Sequence, residues 1–287
     1  VNTIYVHKSL DAGLVTQRIT KIDNGFGNVT NITYKPLTDP TVYTPATDAN
    51  AYTWPATSGS AAKPFPVFDL GGSSYVVSSA SSTAPTANAS TPGAVNYSAT
   101  SSVSYKYAGL KAQASGRGLL GFASITTTDN QSKVVTTTTY RQDFPFIGQP
   151  ISTTVKTAAD NPEFANRTLK SSTNAVTSIP RAGLGGTTYY QVYTNSVTEI
   201  GYELNSGAEV SRVVTTTGAP DAWGNVPNVT VSTYAPGAFP TYLRQTVTTN
   251  TYDTASFDAQ LGRLSRSTVT HRRAGLIEQS RTADFTY

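Results

Sequence analysis

The stretch from Tyr105 to Pro150, YKYAGLKAQASGRGLLGFASITTTDNQSKVVTTTTYRQDFPFIGQP, constrains the fold more than any other part of this chain. β-Branched and aromatic residues fill Ala123–Thr128 and Lys133–Arg141, with the polar residues Asp129-Asn130-Gln131-Ser132 between them. Such side chains lose rotamer freedom in a helix but pack well on a pleated surface, so the two runs predict an antiparallel hairpin. Gly116, Gly118 and Gly121 bracket Arg117 and the Leu119–Leu120 pair just ahead of it. Glycine reaches φ > 0 without a Cβ clash, so this spacing predicts a tight corner with Gly118 or Gly121 in that region. Pro145, Gly148 and Pro150 then interrupt the pattern, because proline has no N–H to give a central strand.

The rest of the chain follows the same grammar. Strands are predicted at Ile4–Lys8, Leu14–Ile22, Val29–Lys35, Phe68–Ser78, Ser152–Thr157, Thr168–Ser172, Thr187–Val197 and Thr198–Leu204. More follow at Ala208–Thr217, after the turn Asp221–Asn225, at Thr246–Tyr252 and at Leu264–Arg273, and Ala274-Gly275 turns a last hairpin ending at Tyr287. Six prolines make 36–66 a loop, whose aromatics, Trp54 among them, predict packing against the sheet. Helical turns are expected only at 161–165 and 256–261. Ser79–Ser102 is almost wholly Ser, Ala and Thr with Pro and Asn. That composition cannot bury enough apolar surface to order itself, so it reads as an exposed excursion between two strands.

One internal repeat stands out. Phe26-Gly27-Asn28-Val29-Thr30-Asn31-Ile32-Thr33 matches Trp223-Gly224-Asn225-Val226-Pro227-Asn228-Val229-Thr230 at most positions by type, and an Asp lies shortly before each. This is a turn-plus-strand module whose aromatic packs beside the strand start, so Phe26 and Trp223 are both expected to be mostly buried.

The fold class that follows is all-β: long antiparallel hairpins forming part of a curved sheet or shell wall. With 287 residues, one large β unit (1–287) is expected, with the excursion at 79–102 and a sub-boundary near 150. Charged residues are only 13% and mean hydropathy is −0.26, so Thr, Ser, Asn and Gln must form much of the surface. There is no cysteine, which excludes disulfides, Cys-ligated zinc and a thiol nucleophile. Val1 is neither a Met nor the start of a signal peptide, so the chain is expected to be a piece of a longer polypeptide. No apolar run reaches the roughly 18 residues of a membrane-spanning helix.

The net charge of +4 is concentrated late, at Arg263, Arg266, Arg272, Arg273 and Arg281. An electrostatic footprint for nucleic acid or anionic lipid is one reading. Aromatics do not interleave these arginines as a stacking surface requires, so the expectation is no nucleic acid and a solvated strand face of alternating Arg and Thr.

Catalytic patterns are missing. His7 and His271 are the only histidines, and neither has a Glu or His at metal-ligand spacing. No G-x-S-x-G elbow is present. Carboxylate pairs for glycoside chemistry could come from Asp160 with Glu163, Glu199 with Glu203, or Asp221. Glu199 and Glu203 would sit about 13 Å apart along a strand, too far for either glycosidase geometry. Gly183-Leu184-Gly185-Gly186 has no lysine after it and reads as a turn rather than a phosphate loop. The expectation is no enzyme: no catalytic residue, no metal ligand and no cofactor.

Several segments carry a family likeness. GRGLLGF (116–122), TTTTY (136–140) and QDFPFIGQP (142–150) resemble the middle region of the B component of bacterial insecticidal toxin complexes, which precedes the repeats in shell proteins of the RHS/YD-repeat class. ITKIDNGFGNVTNITYKPLTDPTVYT (19–44) is similar to the opening segment of that region, LGRLSRSTVT (261–270) to its closing segment, and DFTY (284–287) to the start of the first YD-type strand. The resemblance implies a secreted or cell-surface bacterial protein whose shell encloses a toxic cargo. It also implies that the late arginines line the inside of a hollow shell. Its partners would be downstream YD repeats of its own polypeptide, toxin-complex subunits, or identical copies. Asp39-Pro40 lacks the sequence context of the self-cleaving Asp-Pro in such proteins, so that role does not carry over. Two other readings fit the residues: an extracellular adhesion or filament module pairing through Thr-rich edges, and a carbohydrate-binding module using Trp54 or Trp223.

Overall fold

A computed structural model describes residues 18–45, 67–87, 95–114, 116–253 and 262–287. Ile4–Lys8, His7, residues 14–17 of the expected strand Leu14–Ile22, Trp54 and the expected helical turn at 256–261 lie outside the described residues. The first strands in order are β1 (Lys21–Asp23), β2 (Val29–Pro36), β3 (Tyr43–Thr44), β4 (Val67–Asp69), β5 (Tyr75–Thr83), β6 (Thr86–Ala87) and β7 (Val95–Asn96). The central hairpins are β8 (Thr100–Ala108), β9 (Lys111–Gln113), β10 (Gly118–Gly121), β11 (Ser124–Asp129), β12 (Val134–Tyr140) and β13 (Pro150–Thr157). Then come β14 (Thr168–Ala182), β15 (Thr188–Tyr202), β16 (Glu209–Thr217), β17 (Asn228–Tyr234), β18 (Arg244–Tyr252), β19 (Leu264–Arg273) and β20 (Gln279–Asp284).

Fifteen strands form one sheet in the order β1-β2-β5-β8-β11-β12-β13-β14-β15-β16-β17-β18-β19-β20, with β3 added in parallel to the end of β8. Along that order every pairing is antiparallel, and from β11 onward spatial order equals chain order. The all-β, long-hairpin architecture read from the sequence is the architecture observed.

The sheet is a single layer over most of its width. β11 and β12 are half-buried at every position rather than alternating between a covered and an open face. Among the described residues only six hydrophobic and four polar side chains are buried, with Gly109 and Pro220 beside them. What holds such a layer is its ladder plus hydroxyl pairs between facing strands. Thr126 meets Thr137 at 3.0 Å, Thr139 meets Ser152 at 2.8 Å, and Thr270 meets Ser280 at 2.8 Å. Directly opposed Thr and Ser can satisfy one another, which lets a Thr-rich strand pair without a second layer.

The apolar core sits at one end of the sheet. Leu37, Val42 and Tyr43 are buried there, with Val76, Tyr107, Leu110 and Phe122 packed against them. A small sheet, β10-β9-β4, joins this end, and its central strand β9 is buried throughout. The Tyr43 hydroxyl donates to the Leu70 carbonyl at 2.9 Å and accepts from the Leu110 amide at 3.0 Å. The described part of the proline-rich loop therefore does pack, as its aromatics predict.

Several expectations change. Ser79–Thr83 and Thr100–Ser102 lie within β5 and β8, paired with each other, so the two ends of the low-complexity segment belong to the sheet. Pairing overrides composition here: the Thr83 hydroxyl accepts from the Val29 amide at 3.0 Å, and Thr30 meets Ser82 at 2.8 Å. Thr187–Val197 and Thr198–Leu204 are one strand, β15, and the run expected to stop at Ser172 continues to Ala182. Pro150, expected to break the pattern, begins β13, a position where a missing N–H is tolerated. Residues 161–165 form bends, not a helical turn, because the Asn161 side chain accepts from the Glu163 and Phe164 amides.

Candidate interaction surface

Antiparallel hairpins place alternate connections at the same end. The connections 141–149, 183–187 and 218–227 therefore share one end of the sheet with β9, β10 and the apolar core. The 183–187 connection reaches furthest. β13 pairs only with residues 168–173 of β14, and β16 only with residues 196–202 of β15. The portion in which 176–182 faces 188–194 pairs only with itself. It projects roughly 24 Å beyond its neighbours at about 3.4 Å per residue. Pro180 is admissible there because no strand lies on its far side. At the tip, Gly185 and Gly186 take φ of 67° and 76°, and Leu184 is 96% exposed. The Gly183–Gly186 segment is thus a turn, as its sequence indicated.

An isolated two-stranded arm is marginal in water, and this one is buttressed from both sides. On one side the Phe144 ring meets Tyr190 edge-on, with centroids 5.3 Å apart, and the Arg117 guanidinium covers Phe144 at 3.5 Å. On the other, the Arg181 guanidinium donates to the Gln191 side chain at 3.0 and 2.8 Å and to the Pro220 carbonyl at 2.8 Å. Behind Arg117 the corner glycines Gly116, Gly118 and Gly121 have φ of 99°, 69° and 83°. The Gln142 amide donates to the Gly109 carbonyl at 2.7 Å and the Gly121 carbonyl at 2.6 Å, tying the 141–149 connection to that corner. Leu120 turns inward and is buried, whereas Leu119 is 65% exposed. This end of the sheet consequently presents Leu119, Phe144, Leu184, Tyr189, Tyr190 and Trp223 to solvent around a projecting arm. Neither Gln142 nor Tyr43 carries a local sequence signal, because both act on carbonyls or amides far away in the chain.

The two aromatic-Gly-Asn modules are alike as turns but not as packing units. The Asn24 side chain accepts from the Phe26 and Asn28 amides at 2.9 and 3.0 Å, and Asp221 accepts from Trp223 and Asn225 at 2.8 and 2.9 Å. Gly27 and Gly224 both have positive φ, 86° and 91°. The expected burial of both aromatics fails: Phe26 is 95% and Trp223 55% exposed. The carboxyl or amide oxygen holds the turn by itself, so the aromatic is free to face water.

The candidate carboxylates are engaged in holding turns and strands. Asp160 lies 2.6 Å from Lys133, whose hydrogen bond lowers its pKa. Glu199 pairs with Lys170 at 2.5 Å. Glu203 lies past the end of β15, where the Ser206 hydroxyl and amide and the Asn205 amide draw its pKa down to about 2. For Asp221, burial pushes upward, but the Asn225, Trp223 and Gly224 bonds outweigh it and leave the pKa lowered. His271 lies in β19, with Nδ1 3.2 Å from the Thr246 hydroxyl. No helix among the described residues is long and apolar enough to cross a membrane.

No family model matches the chain, and no curated protein matches it. A porin-like protein from Bacteroides uniformis aligns over 73% of this chain and 84% of that one at 12% identity, with a TM-score of 0.25, too low to argue a shared fold. The crystal structure described as TcdB2-TccC3-Cdc42 aligns over 88% of this chain at 10% identity with a TM-score of 0.60. The chain spans 15% of that chain's length. Its hairpin sheet is therefore similar in fold to a stretch of a toxin-complex structure.

Proposed function

We propose that this chain is a wall segment of a toxin-complex-type shell, corresponding to the middle region of a B component that precedes YD repeats. The observation that carries the reading is the open, single-layer sheet, similar over 88% of the chain to part of TcdB2-TccC3-Cdc42. A globular domain buries one face of a sheet on a second layer, whereas a wall needs only lateral pairing and two edges to continue from. Here both edge strands, β1 and β20, are exposed at every residue. In this reading the segment works outside the bacterial cell, contains no catalytic residue and binds no cofactor. It contacts neighbouring repeats of its own polypeptide and toxin-complex subunits, and the arm and its aromatic surroundings supply a contact surface. The test is protease protection of a cargo domain in the complete polypeptide. Deleting residues 20–286 should expose the cargo to digestion, while charge-neutral substitutions on the sheet should not. Unchanged protection after the deletion would overturn the reading.

A carbohydrate-binding role is the second reading, favoured by the 55% exposure of Trp223. No ring among the described residues pairs with Trp223 to form a platform. A glycan array comparing the chain with Trp223→Ala decides it: loss of a specific glycan signal would support this role.

A further inference from the structure

β18 and β19 bring together two arginines that no carboxylate among the described residues neutralises. Arg244 and Arg273 are register partners, directly opposite one another. Side chains so placed have Cβ atoms about 5 Å apart, and like charges there are unfavourable. Among the described residues this is the one strand-register pair of like charge. Four other cations of the sheet do have carboxylate partners: Lys170 with Glu199, Arg212 with Glu209, Arg266 with Asp284, Arg272 with Glu278. Among the described residues no carboxylate pairs with Arg244 or Arg273.

The surroundings carry the same sign. Residues opposed in an antiparallel ladder share a face, and alternate residues along each strand return to it. The register therefore places Thr233, Arg244 and Arg273 in one row, and Val231, Thr246, His271 and Gln279 in the next. Val229, Thr248, Val269 and Arg281 follow in the third row. Across β17 to β20 this face holds three arginines and one histidine and no Asp or Glu. In the row of the arginine pair the nearest carboxylate is Glu199, three strands from Arg244 and already joined to Lys170. A depression of about 400 Å³ opens here, lined by Arg244, Gln245, Thr246, His271, Arg272 and Arg273 together with Val231 and Thr233. The Arg244 Nε lies 3.3 Å from the Thr233 hydroxyl, which draws that guanidinium toward β17. The His271 Nδ1 is taken up by Thr246 at 3.2 Å, leaving Nε2 for a ligand.

We propose that Arg244 and Arg273, with His271 and Thr246, form a binding site for a multiply charged oxyanion, a phosphate or sulfate group. Two guanidinium forks on adjacent strands offer parallel N–H donors to several oxygens of one group, which a monovalent halide cannot match. The ligand also removes the repulsion that the register imposes, so it stabilises the sheet as well as binding to it. The group can arrive as a free ion or on a sulfated glycan, and Arg281 two rows further along the same face favours a chain bearing more than one.

The experiment titrates the folded chain with inorganic phosphate, inorganic sulfate and a sulfated oligosaccharide at constant ionic strength held with chloride, reading binding calorimetrically and stability by thermal unfolding. Phosphate and sulfate should each bind and raise the unfolding midpoint above the chloride control. Arg244→Gln and Arg273→Gln should each weaken binding about tenfold or more, the loss expected for one charge-assisted bidentate contact. Arg266→Gln, on the opposite face and paired with Asp284, should bind as the unaltered chain does. Tighter binding of the oligosaccharide, reduced by Arg281→Gln, identifies the glycan as the source; equal affinity for the ion and the oligosaccharide identifies the free ion. Because Arg273→Thr removes like-charge repulsion, it should also raise the midpoint in low salt without anion, a readout independent of binding. Undiminished phosphate binding by both Gln variants, or stabilisation matched by chloride at equal ionic strength, would overturn the proposal.

Discussion

Gly118 and Gly121 hold φ of 69° and 83°, yet a Cβ added at either would meet no atom within 4 Å. Their requirement is thus one of backbone conformation and not of space. Alanine at either position should cost more than about 1 kcal/mol of unfolding free energy in denaturant titration, because an L side chain strains that region. Gln142 supports the same corner through its two bonds to the Gly109 and Gly121 carbonyls. Gln142→Ala should cost about 1–3 kcal/mol for the pair of bonds, and Gln142→Glu more, since a carboxylate would face two carbonyl oxygens. At Glu203 the folded pKa of about 2 lies below the ordinary value of 4.5, owing to the Ser206 hydroxyl and the Ser206 and Asn205 amides. A depressed carboxylate stabilises the fold above the unfolded pKa, and that contribution is lost as pH falls through the folded one. Unfolding midpoints should therefore decline between about pH 4.5 and 2, and Glu203→Gln should flatten the decline over that window.

The projecting arm is held by contacts at two positions rather than by a continuous ladder. Its β14 and β15 halves pair with each other beyond residues 173 and 196, while Phe144 leans on Tyr190 and Arg181 holds the Pro220 carbonyl. An edge-on aromatic pair contributes about 0.5–1.5 kcal/mol, so Phe144→Ala should raise hydrogen exchange of amides 176–182 and 188–194 by about 2- to 10-fold. Residues 168–173, laddered on both sides by β13 and β15, should keep their protection. Uniform acceleration across β14 would show that Phe144 supports the whole sheet and not the arm alone.

A sheet of fifteen strands with a core at one end gains most of its cohesion from neighbour-to-neighbour pairing. Among the described residues its outermost strands then have one partner each: β1 pairs only with β2, and β20 only with β19. Hydrogen exchange on a dilute monomer should find the outward amides of β20 unprotected and those of β19 protected. Full protection of 264–287 under those conditions would mean that the sheet closes on itself, contrary to an open wall. Raising the concentration should protect β20 only if copies add edge to edge.

Features that act locally were legible in the residues alone. Positive φ at the corner glycines, the hairpin of β11 and β12, and the limits of β19 at Leu264 and Arg273 all follow from residue type, turn chemistry and a period of two. What tertiary structure decided depends on which strand lies alongside. The extension of β14 through Pro180 to Ala182 rests on pairing with the Tyr-rich start of β15, and the sheet position of Ser79–Thr83 rests on hydroxyl partners in β2 and ladder pairing with β8. Phe26 and Trp223 face water because their turns are held by Asn24 and Asp221, a bond that leaves the aromatic no structural duty. The late arginines show the division most sharply. Their number and sign are plain in the sequence, yet only the register separates Arg266 and Arg272, each beside a carboxylate, from Arg273, set opposite Arg244. A one-residue slip moves every side chain to the other face, and the pairing that prevents it joins residues far apart in the chain.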